Sequence, residues 1–107
     1  LDAQLTLISD EIESAEATQT EVLDVYDTET AFLTEELGAA APEKAAGFEK
    51  RLALIRERRD VAVARHAGHM TRLKDNLAAA ADRKAEVIRM RQEELAELEG
   101  QLKLVEG

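Results

Sequence analysis

The chain has no cysteine, and its histidines, carboxylates and bases form few constellations that could carry chemistry. His66 and His69 stand three residues apart, close enough on one helix to share a metal ion. A site needs a third ligand, and Asp60 and Met70 are poorly spaced to supply it, so both histidines read as structural or solvent-facing. Glu93, Glu94, Glu97 and Glu99 cluster, which is the ordinary pattern of a solvated helix face. Carboxylates work as acid and base when burial shifts their pKa, and no motif here implies a pocket. Lys50, Arg51, Arg56, Arg58, Arg59, Arg65 and Arg72 form a basic stretch able to meet phosphates. Against that stand the net charge of -9 and the lack of interleaved aromatic rings for stacking, so direct nucleic-acid binding is disfavoured. No glycine-rich phosphate loop and no nucleophile elbow occurs. The expectation is a non-enzyme with no catalytic, cofactor-binding or metal-ligating residue. A helical bundle that binds metal or nucleic acid stands as an alternative.

Composition points to the elements that would carry any interaction. The 107 residues are 45% hydrophobic and 35% charged but only 3% aromatic, with one proline, which favours an all-α class. The missing thiols exclude a disulfide framework and a cysteine-ligated zinc or iron-sulfur centre. No window reaches the ~18 consecutive apolar residues of a membrane span, and no basic-then-apolar leader precedes the chain, so an intracellular protein without membrane partners is expected. Leu1 in place of an initiator methionine suggests a piece of a larger protein.

Charge falls in three blocks. Residues 1–43 hold twelve acids and no Lys or Arg, residues 44–91 carry a net +7, and residues 92–107 a net -4. An acidic helix without bases cannot support itself through i, i+4 pairs. The nearest basic neighbour is the segment that follows it, so the two halves are expected to fold back on each other.

Periodicity supplies the rods. Leu1, Leu5, Ile8, Ile12, Ala15, Val22, Tyr26 and Leu33 fill eight of eleven a and d positions of a heptad, with Gln19, Glu29 and Glu36 as the exceptions. Gly38 and Pro42 bracket three alanines, a pairing that stops one helix and starts another. A second run follows through Phe48, Leu52, Ile55, Ala62, His66, Met70 or Leu73, Leu77, Ala81, Ile88, Leu95, Leu98, Leu102 and Val105. Its register slips around His66 to Leu77, where Gly68 lies. The predicted organisation is one helical unit: an acidic heptad helix over 1–37, a turn over 38–42, and a long basic-then-acidic helix over 43–106. The fold expected is thus an antiparallel helical hairpin or coiled coil with a long second helix, and a three-helix bundle broken near Gly68 is the alternative.

The two rods cannot match in length, at ~54 Å and ~95 Å for 1.5 Å per residue. Helix 1 would cover about residues 43–80, leaving an apolar seam of Ile88, Leu95, Leu98, Leu102 and Val105 for a second copy or another protein's helix. Tyr26 and Phe32 are two of the chain's three aromatics, with Glu29 on the seam between them. They are either larger core residues at the wide end of the hairpin or a docking surface in which rings fill pockets and Glu29 meets an arginine.

Tyr26, Asp27, Glu29, Thr30, Phe32, Leu33 and Glu35, followed by Gly47, Phe48, Glu49 and Leu52, form a pattern that resembles the small coiled-coil accessory subunit of MYST-type (NuA4-like) histone acetyltransferase complexes. The similarity covers residues 1–52. The connector lacks the Asn-Ile-Ile of that family, and a long helix stands where a basic tail is usual. From Phe48 onward the chain resembles the charged helices of coiled-coil subunits in histone deacetylase complexes. The resemblance implies a nuclear, non-catalytic subunit that bundles with helices of larger scaffold proteins. The expected function is therefore a coiled-coil scaffold that assembles a multi-protein complex, with a histone-modifying chromatin complex implied by the resemblance alone. A self-assembling homodimeric coiled coil is the rival. The expected partner interface comprises Tyr26, Glu29, Phe32, Leu33, Phe48, Leu52, Ile88, Leu95, Leu98, Leu102 and Val105.

Overall fold

Nothing between Asp2 and Ala39 obliges the backbone to leave a helix: the stretch lacks proline, and its one glycine stands next to the end. The hydroxyls of Thr20 and Thr34 donate back to the carbonyls of Glu16 and Thr30, at 3.1 and 2.7 Å, so these polar residues sit inside the helix with their donors satisfied. The structure, a computed structural model, describes residues 2–106 as two helices, α1 over Asp2–Ala39 and α2 over Pro42–Glu106, which fold back on each other as an antiparallel hairpin. Its extents are 97 × 16 × 13 Å. Leu1, the first residue of the predicted heptad, lies outside the described residues.

The turn is tighter than predicted. Only Ala40 and Ala41 leave the helices, and α1 runs through Gly38 to Ala39. No residue of the described chain has positive φ, so Gly38 does not end α1 by a left-handed cap. Instead the Ala40 N–H donates to the Leu37 carbonyl at 3.2 Å, a single tight closing turn. The Ala41 carbonyl then accepts from the N–H groups of Lys44 and Ala45, at 2.9 and 3.2 Å, which starts α2. Pro42 occupies its first position, where a missing N–H costs nothing, and Glu43 follows in the first turn, where the helix dipole favours an acid.

Helix α2 is unbroken. Sixty-five residues at 1.5 Å each make ~97 Å. That equals the long axis of the molecule, so the helix neither bends sharply nor reverses at Gly68. The three-helix alternative is thereby excluded. A β-carbon at Gly68 would meet only the Arg72 guanidinium at 3.8 Å, an ordinary contact.

The seam departs from a strict heptad once in each helix, at different heights along the hairpin. In α1 the seam runs through positions 5, 8, 12, 15, 19, 22, 26, 30, 33, 37, and in α2 through 45, 48, 52, 55, 59, 62, 66, 70, 73, 77, 80, 84, 87, with Leu23 and Gly68 half-buried beside it. Each contains an eleven-residue step, from Val22 to Leu33 and from Ala62 to Leu73, which locally relaxes the left-handed supercoil. Glu29 and Glu36 consequently leave the seam. Both are exposed, and Thr30 and Leu37 take their places, correcting the expectation that Glu29 lies between the aromatics on the seam. A carboxylate on a dry seam without a cation would be strongly disfavoured, so the drift resolves what a strict heptad would force. In α2 the same drift buries Ala80 fully and exposes the predicted Ala81.

The best-packed region is the turn end, where Leu33, Leu52 and Ile55 are buried against Tyr26, Leu37 and Phe48. Full burial of such a Leu or Ile contributes ~1.5–3 kcal/mol. Met70, Leu73 and Ala80 are buried further along. Between these regions the α2 seam carries Arg59, Ala62 and His66, all half-buried, with Gln19 half-buried on α1.

Candidate functional site

Two ion pairs cross between the helices among the described residues. Arg59 Nε donates to the Asp27 carboxylate at 2.9 Å, and Lys84 pairs with Asp2. The hydrogen bond from Lys84, reinforced by its charge, holds the Asp2 carboxyl below the usual carboxylate value. In each pair the two residue numbers total 86, so one register holds from the middle of the hairpin to its open end. The remaining acids of α1 make no ion pair within the chain among the described residues, so the charge match acts mostly at longer range.

That register places the end of α1. Asp2 stands beside Lys84, and half-burial of the seam ends at Val87, further along than the predicted residue 80. From Ile88 to Glu106 every residue of α2 is exposed. Ile88, Leu95, Leu98, Leu102 and Val105 continue the seam in helical phase along this ~28 Å overhang. Leu98 and Leu102 are 59% and 58% exposed. At the base of the overhang Arg89 bridges Glu86 and Glu93, its contact with Glu93 measuring 2.7 Å, which braces the helix where α1 stops supporting it.

The remaining predicted interface residues divide. Tyr26, Leu33, Phe48 and Leu52 are taken up by the hairpin's own core. Phe32 is 59% exposed and Glu29 is exposed, so the two aromatics have different fates: Tyr26 packs inside and Phe32 faces out.

Phe32 belongs to a second apolar face that the sequence reading missed. Val25 and Phe32 on α1, and Leu54 and Val61 on α2, are all exposed. By the 86 register Phe32 lies across from Leu54 and Val25 across from Val61. A groove runs beside the seam there, lined by Glu29, Phe32, Leu33, Arg51, Leu54, Ile55 and Arg58. Arg51 also covers the Phe48 ring, its guanidinium 5.9 Å from the ring centre. The available signal was the seven-residue spacing of Val25 with Phe32 and of Leu54 with Val61, one residue ahead of the core positions in both helices.

A shallower groove lies at mid-hairpin, lined by Ala15, Gln19, Val22, Ala62, His66 and His69 among others. His66 is half-buried on the seam and His69 is exposed. Among the described residues no three His, Asp or Glu side chains are grouped so as to hold a metal ion, and no helix is long and apolar enough to cross a membrane. Compared with models of known protein families, with curated proteins and with solved structures, the chain matches none.

Proposed function

We propose that the chain is a non-catalytic coiled-coil assembly module: the hairpin is a rigid base, and the α2 overhang is the docking rod that joins it to another helix. One observation carries this reading. The apolar seam continues in phase for nineteen residues after α1 ends, with Ile88, Leu95, Leu98, Leu102 and Val105 exposed along it. A row of large apolar side chains at helical spacing, left open beside a covered stretch of the same seam, is the pattern of a surface that receives a partner helix. Charged side chains around it govern orientation and choice of partner more than affinity.

The assembly class suggested by residue pattern is a histone-modifying complex in the nucleus, which rests on the run from Tyr26 to Glu35 and on Phe48 to Leu52. Packing of Tyr26, Leu33, Phe48 and Leu52 within the hairpin gives these residues a structural role compatible with, and independent of, that placement.

The immobilised chain and its Leu98→Asp/Leu102→Asp variant, exposed to extract from source cells, provide the test. Wild type should retain a defined set of proteins, further copies of the chain among them, that the variant loses while its helicity stays unchanged. Equal recovery by both would remove the docking role of the overhang. Histone-modifying subunits among the retained proteins would support the chromatin placement, and a defined set without them would reject it.

A further inference from the structure

We infer that the helix covering the overhang is the overhang's counterpart in a second copy of this chain, each copy laying residues 88–106 on the Phe32–Leu54 face of the other in a reciprocal antiparallel dimer. This rests on the assembly reading above, because it names the occupant of the same rod. The chain carries both halves of the contact. The overhang presents an apolar row edged by Glu93, Glu94, Glu97 and Glu99, while the groove presents Phe32 and Leu54 edged by Arg51 and Arg58. Residues 88–106 carry a net -2, and residues 42–61, which form the groove's α2 wall, carry a net +2. Glu29 on the α1 wall is the one acid lining that groove.

A single copy cannot join its own two halves. Helix α2 is straight over 97 Å, so its overhang points away from its own groove. Lengths agree between copies: the overhang spans ~28 Å, and so does the α2 face from Val61 back to Pro42. A two-fold axis satisfies both contacts at once and closes the assembly, leaving neither copy with an open seam. A stable interface of ~800 Å² per partner needs about a tenth of the 8258 Å² surface of one chain, which two such helix-in-groove contacts can supply.

Charge reversal with mixing tests this directly. Wild type at micromolar concentration should show twice the 11.8 kDa chain mass in light scattering. Glu94→Lys/Glu97→Lys makes overhang and groove both basic, and Arg51→Glu/Arg58→Glu makes both acidic, so each variant alone should run at monomer mass. Their equimolar mixture should recover the dimer, because each overhang then meets an oppositely charged groove. A monomeric wild type, a dimer that survives both reversals, or a mixture that stays monomeric overturns the inference. As a second measurement that leaves the charges intact, Leu54→Cys and Leu98→Cys chains, mixed and treated with a short bis-maleimide, should yield the cross-linked heterodimer; its absence counts against the arrangement. The assembly reading fails separately, on equal recovery by wild type and overhang variant in the extract experiment. A monomeric wild type whose overhang still retains partners would therefore sink the second copy and leave the module standing.

Discussion

Asp27 accepts a hydrogen bond from Arg59 Nε at 2.9 Å across the hairpin, thirty-two residues apart in sequence. Lys84 meets Asp2 at the same register, twenty-five residues further along both helices, which places the end of α1 and so the start of the exposed rod. Both ends of the Asp27–Arg59 pair are substantially exposed, at 58% and 37% of their side chains, and exposed pairs are weak. A double-mutant cycle of Asp27→Ala and Arg59→Ala, read by urea denaturation, should return a coupling of ~0.2–1 kcal/mol. A much larger coupling would mean that the pair, and not the apolar seam, fixes the register.

The seam at the turn end should dominate stability. Leu52 is buried, whereas Phe32 is mostly exposed, though both are large and apolar. Leu52→Ala should cost ~2–5 kcal/mol by urea denaturation. Phe32→Ala should stay within ~0.5 kcal/mol when measured on monomeric chain. Comparable losses at the two positions would contradict the burial pattern.

Gly68 offers a test of the unbroken helix. A methyl group there has room, and the backbone is helical without positive φ. Gly68→Ala should therefore raise stability by ~0.5–1 kcal/mol in thermal and chemical melts. Destabilisation would indicate that the chain bends at this residue.

Mid-hairpin packing includes polar side chains on the seam. Gln19 and His66 are half-buried and line one groove together with Ala15, Val22 and Ala62. Gln19→Leu with His66→Leu should stabilise the hairpin by ~1–3 kcal/mol through added apolar burial, measured by the denaturation midpoint at constant m-value. A lower midpoint would show that the two polar side chains support the structure at this level.

Acidification should loosen the open end. The Asp2 carboxyl is held below its ordinary value by the hydrogen bond and charge of Lys84. A depressed carboxylate contributes stability that is present above its unfolded value and disappears as pH falls through its folded one. The contact between Asp2 and Lys84 should accordingly persist at neutral pH and be lost only below the usual carboxylate range. Carbon-detected NMR titration of Asp2 should show a lowered midpoint that returns to the ordinary value in Lys84→Met; an unchanged midpoint in that variant would remove Lys84 as the cause.

The hairpin was legible because its causes are local or periodic. Pro42 marks a helix start, the twelve acids of residues 1–43 need bases, and Leu33, Leu52 and Ile55 fall on helical spacing. What escaped the sequence was phase. A heptad laid from Leu1 puts Glu29 and Glu36 on the seam, but an α-helix has slightly more than 3.5 residues per turn, and the drift accumulates until an eleven-residue step brings Thr30 and Leu37 inward. The same drift exchanges Ala81 for Ala80. The Phe32–Leu54 face escaped for a different reason: it exists only when two helices lie side by side in a fixed register, and no single stretch of sequence contains it.

The central claim is that α1 doubles back on α2 and leaves residues 88–106 projecting. Because the chain has no cysteine, spin labels can be placed uniquely at Gln4→Cys and Asp82→Cys, two exposed positions whose numbers also total 86. Double electron–electron resonance on labelled chain diluted with unlabelled chain should give a distance of ~1–3 nm, the spacing of packed helices plus the label arms. A separation of ~12 nm, which 78 residues of continuous helix would produce, would contradict the hairpin and everything built on it.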